Sequence, residues 1–203
     1  NNEAAGTTIK LVDSTLNATP LTNVIATNGT VELENTAVLG TNGDGQKPGF
    51  FISSDAAGVI RGSTRIAGAY GKGVNNEGTF YMYGGTIENN RANAGAGLTN
   101  SGKAYLSGGK ITGNESLTAS GGGIINNTGA ELYLQGVEIS GNTAYSIGGG
   151  MALTDGSLCV MTGGAVSDNH AGGNGSSAGG GGANVAGGAQ FYFLGGSFSG
   201  NTI

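Results

Sequence analysis

From residue 78 onward, apolar and polar residues alternate in short islands that recur in the same order. Five stretches align: 78–90 (GTFYMYGGTIENN), 102–114 (GKAYLSGGKITGN), 130–142 (AELYLQGVEISGN), 157–169 (SLCVMTGGAVSDN) and 189–201 (AQFYFLGGSFSGN). One column holds Phe80, Ala104, Leu132, Cys159 and Phe191; two residues later another holds Met82, Leu106, Leu134, Met161 and Phe193. A spacing of two marks a strand with one buried face, because successive side chains point to opposite sides. Past a glycine-bearing turn comes a third apolar column, Ile87, Ile111, Ile139, Val166 and Phe198. Glycine clusters at 95–97, 121–123, 148–150 and 179–182 then precede Leu98, Ile124, Met151 and Ala183. Each repeat is therefore predicted to hold three short strands separated by turns, and no stretch carries the period of a helix.

Asn90, Asn114, Asn142, Asn169 and Asn201 mark repeats of 24, 28, 27 and 32 residues. A unit of this size cannot bury its apolar face alone, but it can when stacked on its neighbours. The expected fold is an all-β, right-handed parallel β-helix with three short strands per coil, successive coils pairing about 4.8 Å apart. The asparagine column reads as a turn residue that tolerates the left-handed region, with amides stacked from coil to coil. Length variation falls after that asparagine, at 91–94, 115–120, 143–147 and 170–178.

Upstream the pattern weakens. Gly58, Val59, Ile60, Ile66, Gly73 and Val74 suit one coil, and Val31, Leu33, Val38 and Phe50–Ile52 another. Strand-like runs at 8–12 and 23–25 read as a cap or irregular coils. The division is thus residues 1–57, an irregular N-terminal part of the helix, and 58–203, its regular coils. Seven to eight coils at the strand spacing give a rod of about 35–40 Å. The first residues, Asn1, Asn2 and Glu3, read as those of a processed or excised piece. The last coil ends without a polar cap, so the helix is expected to continue beyond residue 203.

Composition narrows the function classes. Glycine supplies 44 of 203 residues, proline only 2, and charged residues 10%. That glycine content without a three-residue period is not collagen, and regularly spaced apolar islands are not disorder. The net charge of −5 and the scattered lysines and arginines leave no basic stripe for a nucleic acid. No apolar run approaches the roughly 20 residues of a membrane span. The single Cys159 rules out an internal disulfide and a multi-cysteine metal site.

The repeated G-G-x-[IVF]-x-x-N, followed by a glycine cluster and an apolar residue, resembles the paired motifs of polymorphic outer-membrane and adhesin-like β-helix proteins. In that family one motif reads Phe-x-x-Asn and the other Gly-Gly-Ala-Ile or similar. The matches here begin at Ile87, Ile111, Ile139 and Val166, and literally at Phe198 with Asn201. The second motif is matched by Gly122, Gly123 and Ile124 and by Gly149, Gly150 and Met151. The resemblance covers about residues 70–203, with Ile replacing the motif Phe in three coils. It implies an adhesive or structural passenger, extracellular or at the cell surface.

The outward column of the first strand carries the candidate chemistry. It reads Tyr81, Tyr105, Tyr133, Val160 and Tyr192. Tyr81, Tyr105, Tyr133 and Tyr192 are the candidate ligand face for a glycan or a host-surface protein, since tyrosine offers an apolar ring and a hydroxyl. The competing reading is cross-strand stacking that stiffens the sheet. A polysaccharide lyase or glycosidase fragment is the alternative function, with Glu88, Arg91 and Glu115 as its loose candidate grouping. A self-assembling fibre segment, joined through the open end of the helix, is another.

The remaining motifs are weaker. Cys159 reads as a small buried thiol. His170 has no second ligand in sequence for a transition metal. Asn42, Gly43, Asp44 and Gly45 look faintly like a calcium turn, without the recurrence of a calcium roll. The glycine runs lack the Lys-Ser/Thr of a phosphate loop. Asn-x-Ser/Thr triplets begin at Asn17, Asn28, Asn114, Asn126 and Asn174. No cofactor, no metal, no nucleic-acid partner and no membrane insertion of this segment are expected.

Overall fold

A computed structural model of the chain describes residues 6–17, 24–40, 47–172 and 179–203. Among these residues every regular element is a strand, and every pairing between strands is parallel. The chain is a parallel β-helix of eight coils.

The first sheet stacks eight strands in chain order: Thr7–Val12, Gly29–Glu34, Ala57–Arg61, Thr79–Met82, Lys103–Leu106, Glu131–Leu134, Leu158–Met161 and Gln190–Phe193. The second stacks another eight, from Thr15–Asn17 through Thr86–Glu88 to Ser197–Ser199. A seven-stranded sheet closes each coil, from Val24–Ala26 through Leu98–Asn100 to Ala183–Val185; we call it the closing sheet. These are the three strands per coil that the periodicity predicts. A fourth, two-residue strand succeeds the asparagine in four coils: Arg91–Ala92, Glu115–Ser116, Thr143–Ala144 and His170–Ala171. The stretch that absorbs length variation therefore begins with a regular pair. The variation itself is confined to the residues beyond that pair.

The register matches the sequence columns. Phe80 pairs with Gly58 and Ala104, and Ile87 with Ile66 and Ile111. Phe80, Met82, Ile87, Leu98, Leu106, Ile111, Ile124, Leu132 and Ile139 are fully buried, forming one continuous core along the rod. The described part of residues 1–57 contributes strands to the same sheets, Thr7–Val12 pairing with Gly29–Glu34 over six residues. In the last coil the same inward columns lie open. Phe193 is 49% and Phe198 38% exposed.

The asparagine column does not take the left-handed turn expected of it. The positive φ falls one residue earlier, at Asn89, Gly113, Gly141, Asp168 and Gly200. The asparagines turn inward instead and are buried, Asn90, Asn142 and Asn169 at 0% exposure. Their amides stack as expected: Asn90 Nδ2 donates to Asn114 Oδ1 at 3.0 Å, and the chain continues through Asn142, Asn169 and Asn201 at 2.9 Å each. The oxygens of Asn114, Asn142, Asn169 and Asn201 also accept the backbone N–H of the asparagine one coil earlier, Asn90 Oδ1 accepts that of Ala69 at 2.9 Å, and each Nδ2 donates to a carbonyl, as Asn114 does to Ile87 at 3.0 Å. Leaving the groups of a buried amide unpaired is costly, and this ladder pairs them.

A second, shorter ladder runs up the inner face of the closing sheet. Asn76 Nδ2 donates to Asn100 Oδ1 and Asn100 Nδ2 to Asn126 Oδ1, both at 2.7 Å. Its lowest member, Asn76, comes after Ile52 in the column, so nothing beneath can donate and Asn76 Oδ1 lacks a hydrogen bond.

Candidate binding face

The outer surface of the first sheet is built by alternation. With Phe80 and Met82 turned into the core, Tyr81 and Tyr83 must face outward, and the same holds for Tyr105 and Tyr133. Parallel in-register pairing aligns Tyr81 with Tyr105 and Tyr105 with Tyr133. Their rings stack. The centroids lie 5.3 Å apart at 12° and then 4.9 Å apart at 5°. Val160 interrupts the column, and Tyr192 comes after it, 50% exposed. The structure therefore places Tyr81, Tyr105 and Tyr133 together and sets Tyr192 apart.

Stacking decides what this face can offer. Both faces of the Tyr105 ring are occupied by neighbouring tyrosines, so the inner rings present edges and hydroxyls outward. Free ring surface belongs to the flanks. Tyr83, which alternation places on the same face, is 54% exposed and lies 6.1 Å from Tyr81. The Arg61 guanidinium sits 5.3 Å from the Tyr83 ring centre, within cation–π range. Tyr83 did not enter the sequence column because only one coil carries it, although its spacing of two from Tyr81 was the available signal.

Charged residues line the stack. Tyr133 donates its hydroxyl to Glu131 at 2.8 Å, and Glu131 is held by Lys103 at 3.0 Å. Lys103, and after it the Tyr133 hydroxyl, pulls the Glu131 carboxyl below its ordinary range. Glu131 in turn raises the Tyr133 phenol. On the N-terminal side Lys10 pairs with Glu32 at 3.1 Å and with Glu34; Arg61 Nε lies 3.0 Å from Glu32 but outside hydrogen-bond geometry.

The acidic grouping considered for hydrolysis resolves into separate pairs. Glu88, on the second sheet, is bound by Arg65, whereas Arg91 lies 2.9 Å from Glu115 on the two-residue strands. Among the described residues no three His, Cys, Asp or Glu gather as a metal site. His170 Nδ1 is 2.9 Å from Thr202 Oγ1. Cys159 is buried in the core, where desolvation pushes its thiol up to about 12. Asn42, Gly43, Asp44 and Gly45 fall outside the described residues, as does Asn174. Asn114 and Asn126, which begin two Asn-x-Ser/Thr triplets, are ladder members with buried amides. Among the described residues no helix is long and apolar enough to cross a membrane.

No protein-family model, curated protein or solved structure matches the chain.

Proposed function

We propose that the chain is a structural and adhesive β-helical segment of a larger cell-surface or secreted protein, whose tyrosine-bearing sheet face engages a glycan or a host-surface protein. The observation that carries this reading is the concentration of Tyr81, Tyr83, Tyr105 and Tyr133 on one outward sheet surface, part-exposed and held rigid by stacking. Rigid aromatic groups lose little conformational entropy on binding and combine apolar area with a hydrogen-bonding tip. Because the inner faces are stacked, the ligand lies across ring edges and hydroxyls, with the flanking Tyr83 ring as its apolar contact. A glycan array probed with the purified chain, beside a Tyr105→Ser/Tyr133→Ser variant, tests this. Selective binding lost in a folded variant supports it. Binding that the variant retains overturns the assignment of the face.

A second reading, end-to-end assembly, has its own observation. Phe191, Phe193 and Phe198 cluster with ring centres 5.5–6.3 Å apart at the open last coil, and two of them are substantially exposed. Concentration-dependent filaments in electron micrographs would favour it, and a monomer at high concentration would remove it.

A further inference from the structure

Six of the eight lysines and arginines make carboxylate pairs across coils: Lys10, Arg61, Arg65, Arg91, Lys103 and Lys110. Lys72 is different. It is half-buried, no carboxylate of the described residues lies within ion-pair distance, and its ammonium donates only to the Asn75 amide oxygen, at 3.3 Å. Burial lowers its pKa, opposed in part by the more distant charge of Glu77. Desolvating an ammonium without a matching anion is unfavourable, whereas the six paired cations are more exposed and each meets a carboxylate.

Lys72 borders a cleft of about 310 Å³ on the outer side of the closing sheet, near the lower bound for small-molecule sites. Its origin is a step in the length of one connection. Four residues lead from Ala69 to Gly73, seven from Asn90 to Gly97 and nine from Asn114 to Gly123. Each longer connection overhangs the shorter one beneath, and Lys72 sits at the step. Its backbone is pinned, with Gly49 N–H donating to the Lys72 carbonyl at 2.8 Å and Gly71 N–H donating to the Arg91 carbonyl at 2.7 Å.

The lining combines that cation with polar groups and a small apolar surface. Asn93 contributes an exposed side chain, Asn127 an amide anchored to Ser101 at 2.8 Å, and Thr99 a hydroxyl that donates to Gly95 at 3.1 Å and keeps its lone pairs. Ala92 and Ile125 supply the apolar part. One cation, two amides, a hydroxyl and a patch of aliphatic surface suit a pyranose bearing a carboxylate.

We propose that this cleft binds an acidic sugar residue, its carboxylate on Lys72, its hydroxyls on Asn93 and Asn127, and its C–H face against Ile125. The site is independent of the tyrosine face and stands or falls separately from it.

The test is NMR titration of the full chain with glucuronate, glucose and acetate, alongside Lys72→Met and Tyr105→Ser/Tyr133→Ser. Saturable shifts at Asn93, Thr99 and Asn127 with glucuronate are expected, with at least tenfold weaker responses to glucose and to acetate. Lys72→Met keeps the aliphatic stem and the melting temperature, and should weaken glucuronate at least tenfold. The tyrosine variant should bind it unchanged. Equal responses to glucose and glucuronate, equal responses to acetate and glucuronate, or undiminished binding by Lys72→Met would each overturn the proposal.

Discussion

The amide nitrogen of Asn114 lies 3.0 Å from the point a β-carbon on Gly97 would occupy. The asparagine ladder and the glycine clusters, two motifs far apart within each repeat, are therefore two sides of one packing arrangement. The relation recurs at Gly123 with Asn142, Gly150 with Asn169 and Gly182 with Asn201, within 3.1 Å in each of these coils. A buried amide that bonds up and down the rod leaves no room beside it, and the neighbouring coil's glycine supplies the missing volume.

Gly97→Ala tests that interlock. Its added methyl would meet the Gly123 carbonyl, which is backbone, and Ile111 Cγ2 at 2.8 Å. Overpacking of this kind costs about 1–3 kcal/mol. Thermal or denaturant unfolding should show that loss, whereas Gly129→Ala should relieve no packing and create no clash, since nothing lies within 4 Å of its β-carbon position. The latter still carries the strain of a φ of 77° and serves to separate backbone from packing effects. An unchanged melting temperature for Gly97→Ala would refute the interlock.

Asn114→Ala removes the acceptor of both the Asn90 backbone N–H and the Asn90 amide. Buried groups left without partners cost about 1–3 kcal/mol each, so a total of about 2–6 kcal/mol is expected. Asn114→Asp should be no milder at neutral pH. It keeps the acceptor but sets a carboxylate oxygen against Asn142 Oδ1, where a donor at 2.9 Å now stands. Chemical denaturation of both variants at pH 7 checks the order, and a stable Asn114→Asp chain would contradict a directional ladder.

The sequence exposes this architecture because stacking repeats the same constraint in every coil. Ile87, Ile111 and Ile139 share a column in the alignment and the same inward position in the helix. What it conceals is equally specific. Asn76, Asn100 and Asn126 occupy the third position of Val74–Asn76, Leu98–Asn100 and Ile124–Asn126, two residues after an inward apolar side chain. Alternation alone would place them inside, but an amide in a glycine- and asparagine-rich chain reads as a turn until its partner one coil away is known. The left-handed turn is misplaced by one residue for a related reason: φ is set by the link between strands, and Gly113, Gly141 and Asp168 perform it beside the asparagine. Of the candidate face, the tyrosine column is legible from period two. The occupied ring faces and the Lys72 cleft are not, since both depend on distances between coils.

Tyr105 stands between two stacked neighbours, and aromatic pairs contribute about 0.5–1.5 kcal/mol each beyond their buried area. Tyr105→Ser should therefore destabilise the rod by about 1–3 kcal/mol. A double-mutant cycle with Tyr133→Ser should show coupling of about 0.5–1.5 kcal/mol. Additive effects would mean that the rings share a column without sharing energy. The melting temperatures also fix the range in which a binding assay on the double variant reports on the face and not on unfolding.

Acid should weaken the fold, and salt should blunt the effect. Lys10 lowers the carboxyl of Glu34, Lys103 that of Glu131 and Lys110 that of Glu138. A carboxyl whose folded pKa is depressed stabilises the native state fully above the ordinary glutamate range, and that contribution disappears as pH falls through the lower folded values. Tyr133 behaves in the opposite sense: its raised phenol favours the native state below the ordinary tyrosine range and loses that effect as alkali carries pH through the raised value. All these groups are well solvated, so the changes should be small and screened. Melting curves from pH 3 to 7 at low and high salt should converge at high salt, and Glu131→Gln should flatten the acid limb. A slope indifferent to salt would point to some other group.

Cys159 converts the core into a reporter. Its side chain is fully buried between Leu132 and Phe191 in the inward column of the first sheet, and desolvation lifts the thiol to about 12. Thiolate is the reacting species, and an unperturbed cysteine near 8.5 would be substantially ionised at pH 8. In the folded chain neither access nor ionisation is available, so alkylation by iodoacetamide at pH 8 should proceed only through opening of the rod. Because Phe191 belongs to the last coil, where Phe193 stands 49% exposed, opening of that coil alone would uncover the thiol. The labelling rate should therefore rise at denaturant concentrations below the global transition, and Phe191→Ala should raise it further without a matching fall in the midpoint. If labelling instead tracks global unfolding in both proteins, the eight coils open as one cooperative unit and the terminal coil is held as firmly as the rest.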